Sequence, residues 1–299
     1  MDNTNMRIFT FYKLVLAGGL LLVLISIIGR ATAYKPVVIF HGMFDHKNSL
    51  FPLRDRIIQK HKGTNVTVIN KLHRWRSMMP MPFQVATFQE TIRGIIKDNP
   101  GGIHLIGYSQ GGLIARAVLE SMPDHNVDTF ISLSAPQGGQ YGDQFLKLYF
   151  PTYVKEHAWK IFYRESGQHI SIGNYWRDPN HLQEYYNHST FLPLIDNEIT
   201  SKKSKQYKNN FLRTRKLVLI GGPDDGLISP WESSQFGCYK TEDEVMPMEE
   251  RDVYMNDLFG LKTLDEANKI IKLTVPGVHH LEWHKTLKVI DNYILPFLD

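Results

Sequence analysis

Ser109 lies in the pentapeptide Gly107-Tyr108-Ser109-Gln110-Gly111, a G-x-S-x-G pattern. In such a pattern the serine occupies a strained strand-to-helix turn that lifts its hydroxyl above a sheet. Gly107 and Gly111, two residues to either side, leave room for strand and helix to approach closely. An attacking serine creates an oxyanion, and the backbone N–H of Gln110, at the start of the following helix, is placed to donate to it. The pentapeptide alone arises by chance in roughly one chain in ten of this length. Its surroundings are more specific, because "GIHLIGY" reads into it as a buried strand and "QGGLIARAVLE" leads out as a helix.

A serine hydroxyl needs a base, and the base needs an orienting acid. With this architecture the three follow in the order serine, acid, histidine, on loops after successive strands. The run "KLVLIGG" is followed by "PDDG", which offers Asp224 and Asp225. The run "IIKLTV" is followed by "PGVHHLEWH", which offers His279, His280 and His284. One of the aspartates suits a helix cap, and a histidine beside a Pro-Gly turn suits a plain loop, so residue type leaves each choice open. His280 and His284 are spaced to share a helix face, but "HLEWH" lacks the H-E-x-x-H order and no third ligand stands out, so no metal is expected. A second oxyanion donor is expected after an early strand. In "VVIFHGMFD", His41-Gly42 turns the chain and aims the N–H of Met43.

These residues require a scaffold of strands and covering helices. Six apolar runs of strand length are "PVVIF", "NVTVI", "GIHLIGY", "TFISLS", "KLVLIGG" and "IIKLTV". Such runs suit a mostly parallel sheet buried on both faces. Between them, "PFQVATFQETIRGIIKDNPGG" repeats Val85, Phe88, Ile92, Ile95 and Ile96 at helical spacing before an Asn-Pro-Gly-Gly stop. Strand alternating with helix predicts a doubly wound α/β domain over residues 34–299. Between about 140 and 213 no strand is evident and aromatics crowd in, twelve of 47 residues from Phe145 to Phe191. That density predicts a helical insertion packed on the sheet that also lines an apolar substrate channel.

Residues 1–33 are set apart from the fold. Arg7 and Lys13 precede the apolar run Leu14 to Gly29, which ends at Ala31-Thr32-Ala33. A basic start, an apolar core and an A-x-A site predict a secretory signal peptide, cut before Tyr34, rather than a membrane anchor. No later run reaches spanning length. The formal charge falls from +4 to +2 without the leader, and there are no basic blocks, so no nucleic-acid partner is expected. Cys238 is the only cysteine, which excludes an intrachain disulfide. Asn65 ("NVT") and Asn187 ("NHS") are glycosylation sequons for a chain in the secretory route.

The quoted segments "HGMFD", "HLIGYSQGGLIARA", "NYWRDPNH" and "LVLIGGPDDGLISPWESSQFG" resemble the palmitoyl-protein thioesterase family of α/β-hydrolases. "QYGD" and "GGPDDG" are similar to its type 2 branch, the lysosomal thioesterases. The resemblance covers nearly all of the chain beyond the leader. It implies Ser109 as nucleophile, Asp225 as acid, His280 as base, and Met43 and Gln110 as oxyanion donors. It also implies a lysosomal hydrolase of long-chain acyl thioesters, acting on acyl-coenzyme A and S-acylated peptides without a cofactor. One departure is that relatives carry several cysteines and disulfides. The triad alone also admits a carboxylesterase or lipase acting on oxyesters, and an inactive lipid-binding protein is a third possibility. A thioester releases a thiol of pKa near 8.5, which needs little protonation to depart. Oligomeric state is not legible in the residues.

Overall fold

The structure, a computed structural model, describes residues 34–149, 151–152 and 155–299. The expected leader, together with Phe150 and Tyr153 of the aromatic-rich segment, lies outside the described residues. Among these, the strands are β1 (Val37–Phe40), β2 (Val66–Val68), β3 (Ile103–Tyr108), β4 (Val127–Leu133), β5 (Lys216–Gly221), β6 (Cys238–Tyr239), β7 (Val245–Met246) and β8 (Ile270–Thr274). Six of them, those foreseen from the apolar runs, form one sheet in the order β2-β1-β3-β4-β5-β8, and every pairing in it is parallel. The short antiparallel pair β6–β7 has no counterpart in the sequence reading, because two-residue strands leave no periodic signal.

Alternation along each strand feeds two separate cores. Val38, Phe40, Leu105, Phe130, Leu217 and Leu219 face one side, packed against α2 (Met81–Asp98) and α3 (Gln110–Ser121). Val37, Ile39, Ile106, Ile131, Val218 and Ile220 face the other, under α1 (Phe51–Lys60) and the C-terminal segment carrying Trp283, Ile290 and Ile294. Covering both faces is why the strands read as unbroken apolar runs. The edge strands β2 and β8 are the exceptions, with no residue fully buried in either. Because β1 pairs with β2 on one side and β3 on the other, the chain reverses its direction of winding there. A crevice therefore opens at the carboxyl ends of β1 and β3, where ligands bind in open α/β sheets.

Between β4 and β5 the described residues form no strand beyond one isolated parallel bridge, Gln140 to Trp176, and run through the helices α4 (Asp143–Tyr149), α5 (Lys155–Phe162), α6 (Glu165–Gln168), α7 (Ser171–Tyr175), α8 (Leu182–His188), α9 (Leu192–Ile195) and α10 (Ser204–Phe211). Phe162, Tyr175, Trp176 and Tyr185 are buried, so most of the aromatic excess packs inside this segment. A charged cluster fastens it to the sheet. Buried Asp196 accepts from Arg116 of α3 at 2.6 Å and from Arg251 at 3.0 Å. Glu120, fully buried beside Arg116, is pushed well above the usual carboxylate range by burial. Removing one member of such a cluster strands its partners, a cost of about 3–5 kcal/mol.

His125 is buried where α10 meets the turn before β4, and its Nε2–H donates to the Asn210 carbonyl at 2.8 Å. Burial pulls its pKa down to about 4, against the partial offset of that hydrogen bond. The native imidazole is thus neutral, while the unfolded chain binds a proton below about 6.5. Its contribution to stability is complete above that value and declines as the pH falls toward 4. In chemical denaturation, His125→Gln should shrink the loss of unfolding free energy between pH 7 and pH 5 by about 2 kcal/mol. An unchanged loss would assign the acid sensitivity to other groups.

Candidate active site

The loops after β1, β3, β4, β5 and β8 converge on Ser109. The serine adopts φ 54 and ψ −132, a left-handed conformation that costs about 1–3 kcal/mol for a residue with a side chain. Close packing enforces it. A Cβ at Gly107 would lie 2.4 Å from the Gly112 Cα, and one at Gly111 would lie 2.5 Å from the His41 carbonyl oxygen. Both elbow glycines therefore answer to backbone approach. Gly112 belongs with them, since a Cβ there would meet the Ala135 Cβ at 2.5 Å.

His280 Nε2 lies 2.9 Å from Ser109 Oγ, across 171 positions of sequence. Its Nδ1 lies 2.9 and 3.1 Å from the two Asp225 carboxylate oxygens. Because an ionised carboxylate only accepts, Nδ1 carries the hydrogen and Nε2 presents its lone pair to the serine hydroxyl. The geometry also separates the neighbours that residue type left open. Asp225 is 3% exposed, whereas Asp224 faces solvent and accepts from the Gly277 N–H at 2.7 Å, pinning the turn that carries the histidines. His279 is exposed and bonds the Asp224 carbonyl, and His284 is buried beside Tyr108.

Asp225 is the most heavily solvated carboxylate of the site, with protein donors in place of water. It accepts from the Leu227 and Ile228 N–H groups at 3.0 and 2.7 Å, the Ser134 hydroxyl at 2.5 Å and the Trp283 indole at 2.6 Å, besides His280. Burial would raise its pKa, but the bonds from His280, Ser134 and the backbone outweigh burial and hold it below the ordinary aspartate value. Ser134 and Trp283 escaped the sequence reading. Both reach Asp225 from distant loops, and neither sits in a motif. The Ser134 backbone, at φ 45, is itself strained toward the site.

The Met43 and Gln110 backbone N–H groups have no acceptor among the described residues, as an oxyanion pair requires. The Gln110 side chain is fixed behind its own N–H, donating to the Ser77 carbonyl at 2.7 Å and accepting from the Tyr175 hydroxyl at 3.1 Å. A cavity of about 320 Å³ opens over Ser109. Phe145 and Tyr175 of the helical insertion line it with Pro136, Leu227 and Ile228. Away from the site, Asn65 and Asn187 are exposed and Cys238 is a buried free thiol. No helix among the described residues is long and apolar enough to cross a membrane.

The fold is similar to that of a Bacillus licheniformis lipase in its mature form, with a TM-score of 0.51 over 90% of this chain and 94% of that one at 14% identity. Sequence similarity runs deeper elsewhere. The lysosomal thioesterase PPT2 of Rattus norvegicus is 47% identical over 267 residues, covering 89% of this chain and 88% of its own length. The Homo sapiens protein of that name is 46% identical over 93% and 92%, and the Drosophila melanogaster homolog 44% over 92% and 95%. A family model described as palmitoyl protein thioesterase matches residues 36–280, which contain Ser109, Asp225 and His280. The chain belongs to the palmitoyl protein thioesterase family.

Proposed function

We propose that this chain hydrolyses long-chain fatty-acyl thioesters through an acyl-serine intermediate on Ser109, with His280 as base and Asp225 as its orienting acid. The observation that carries the reading is the 2.9 Å contact between Ser109 Oγ and His280 Nε2, backed by Asp225 at 2.9 Å. Ser109 Oγ attacks the acyl carbon as its proton passes to His280 Nε2. The imidazolium so formed faces the ionised Asp225, and the tetrahedral oxyanion accepts from the Met43 and Gln110 N–H groups. On collapse the carbon–sulfur bond breaks, and the sulfur takes the proton from Nε2. A water molecule, deprotonated by His280, then attacks the acyl-serine, releasing the fatty acid and restoring the hydroxyl.

The apolar wall of the cavity suits a hydrocarbon tail, each buried methylene contributing about 0.8 kcal/mol. The substrates are acyl-coenzyme A and S-acylated cysteine peptides. The relatives are named lysosomal thioesterases, and we extend that location to this chain. It would be reached through the secretory route after loss of residues 1–33, with glycans on Asn65 and Asn187. N-terminal sequencing of the secreted or organellar protein should begin near Tyr34, and an intact Met1 would contradict cleavage.

Ser109→Ala should lower kcat/KM on palmitoyl-coenzyme A by about 10³-fold or more, and turnover at the parental rate would refute the mechanism. A rate on the matched oxyester well above that on the thioester would favour an esterase instead. Asp225→Asn should cost about 10³–10⁴-fold, and Asp224→Asn less than about 3-fold. The reverse ranking would transfer the role by one residue. Ser134 is a positioning residue, since its hydroxyl helps hold the Asp225 carboxylate ionised. Ser134→Ala should lower kcat about 10-fold and raise the pKa of the Asp225 carboxyl, read from its carbon shift in an NMR pH titration. A drop in kcat with an unmoved carboxyl pKa would mean that Ser134 serves packing only.

A further inference from the structure

The cavity beside Ser109 has a second stretch of wall, unlike its apolar one. Asp45 and Ser49, from the loop after β1, meet His284 and Lys285, from the turn after β8. Three of these four have partners. The Asp45 carboxylate accepts from the His46 N–H at 2.9 Å, the Ser49 hydroxyl lies 2.5 Å from His46 Nδ1, and Lys285 reaches Glu282 at 3.4 Å. His284 is the exception. It is only 2% exposed, yet neither ring nitrogen has a hydrogen-bond partner among the described residues. Its ring packs on Tyr108 at 4.7 Å between centroids, and the same tyrosine ring lies 5.4 Å from His280.

Buried polar groups in folded proteins find partners, and an imidazole without one in the wall of a cavity is placed to meet a ligand atom that enters there. Burial holds the His284 pKa near 4 despite the pull of Asp45. At mildly acid and neutral pH it is therefore a neutral imidazole with one N–H and one lone pair. The chemistry at Ser109 says which part of a substrate passes it. The proton taken by His280 Nε2 returns to the departing sulfur, so the sulfur lies on the imidazole side of Ser109. Whatever the sulfur carries continues along the wall that His280 begins, and Leu281, His284 and Lys285 form that wall on the same turn. In acyl-coenzyme A and in an S-acyl cysteine peptide alike, two saturated carbons separate the sulfur from an amide nitrogen.

We infer that His284 is the specificity residue of a leaving-group subsite, its ring nitrogens hydrogen-bonding the amide that lies two carbons beyond the thioester sulfur. This rests on the acyl-serine reading above. It gives the enzyme a means of distinguishing biological thiol carriers from plain alkyl thiols, which an apolar acyl pocket lacks. A site built to bond an amide discriminates against an isostere without one, because the imidazole then stays unpaired.

The test compares N-acetylcysteamine and 1-pentanethiol thioesters of the same fatty acid, which differ only by the amide. The parent enzyme should favour the amide-bearing ester about 10-fold in kcat/KM. His284→Phe, which keeps a ring against Tyr108, should bring the ratio near one, and His284→Gln should retain most of it. A ratio taken within one preparation is independent of how much protein folds. An unchanged ratio in His284→Phe, or no preference in the parent, overturns the inference. Repeating the comparison of parent and His284→Phe with acyl-coenzyme A and with an S-acyl cysteine peptide assigns the source. A loss on either substrate supports the subsite and names its ligand, and a loss on neither overturns it. Ser109→Ala in the same assay separates the two claims. Activity retained there refutes the acyl-serine reading itself, whereas an inactive Ser109→Ala beside an unchanged His284→Phe ratio refutes only the subsite.

Discussion

At Ser109 the backbone of α3 passes so close to β3 and to the end of β1 that neither position 107 nor 111 has space for a single carbon. That contact forces the chain to reverse within one residue, and the residue that absorbs the strain is the serine at φ 54. Strain of this kind persists only when surrounding structure over-determines it. Here the parallel pairing of β3 with β1 and β4 does so, with the packing of α3 on the sheet. The consequences are geometric. The hydroxyl stands clear of the sheet, the helix N-terminus points at it, and the loop after β1 brings the Met43 N–H alongside. Relaxing the turn would displace all three together.

A second constraint is electrostatic. A carboxylate that is 3% exposed is costly unless protein dipoles replace water. Asp225 meets the condition with five donors, including backbone groups that cannot be lost by rotation of a side chain. The four besides His280 fix its orientation toward that ring, and the carboxylate holds the imidazole in the tautomer that can accept from Ser109. The insertion obeys a related rule at larger scale. Its Asp196 is buried between Arg116 and Arg251, so the helix that begins beside the nucleophile also anchors the segment that supplies Phe145 and Tyr175 to the cavity.

How much of this the sequence disclosed follows from the range of each interaction. The four inner strands β1, β3, β4 and β5 were legible because burial on both faces leaves an apolar run, a local signal. Edge strands β2 and β8 were visible through their β-branched residues, despite weak burial. Ser109 was legible because its constraint is met by glycines within two residues. The choice between Asp224 and Asp225 was not, since both follow the same strand and differ only in which faces inward. The resemblance to relatives, rather than composition or spacing, singled out one. Ser134 and Trp283 left no trace, because their partner lies 91 and 58 residues away. His284 was noticed as a spacing and dismissed as a ligand. That it is buried without a partner is a three-dimensional fact that no window of sequence contains.

Catalysis here rests on the Ser109 hydroxyl as the acyl acceptor. A long-chain alkyl fluorophosphonate, which forms a stable bond only with an activated serine, should add one group per chain by intact mass, located on Ser109 by peptide mapping, with activity falling in proportion to labelling. Full labelling that leaves activity intact, or a label on any other residue accompanying its loss, would contradict that role.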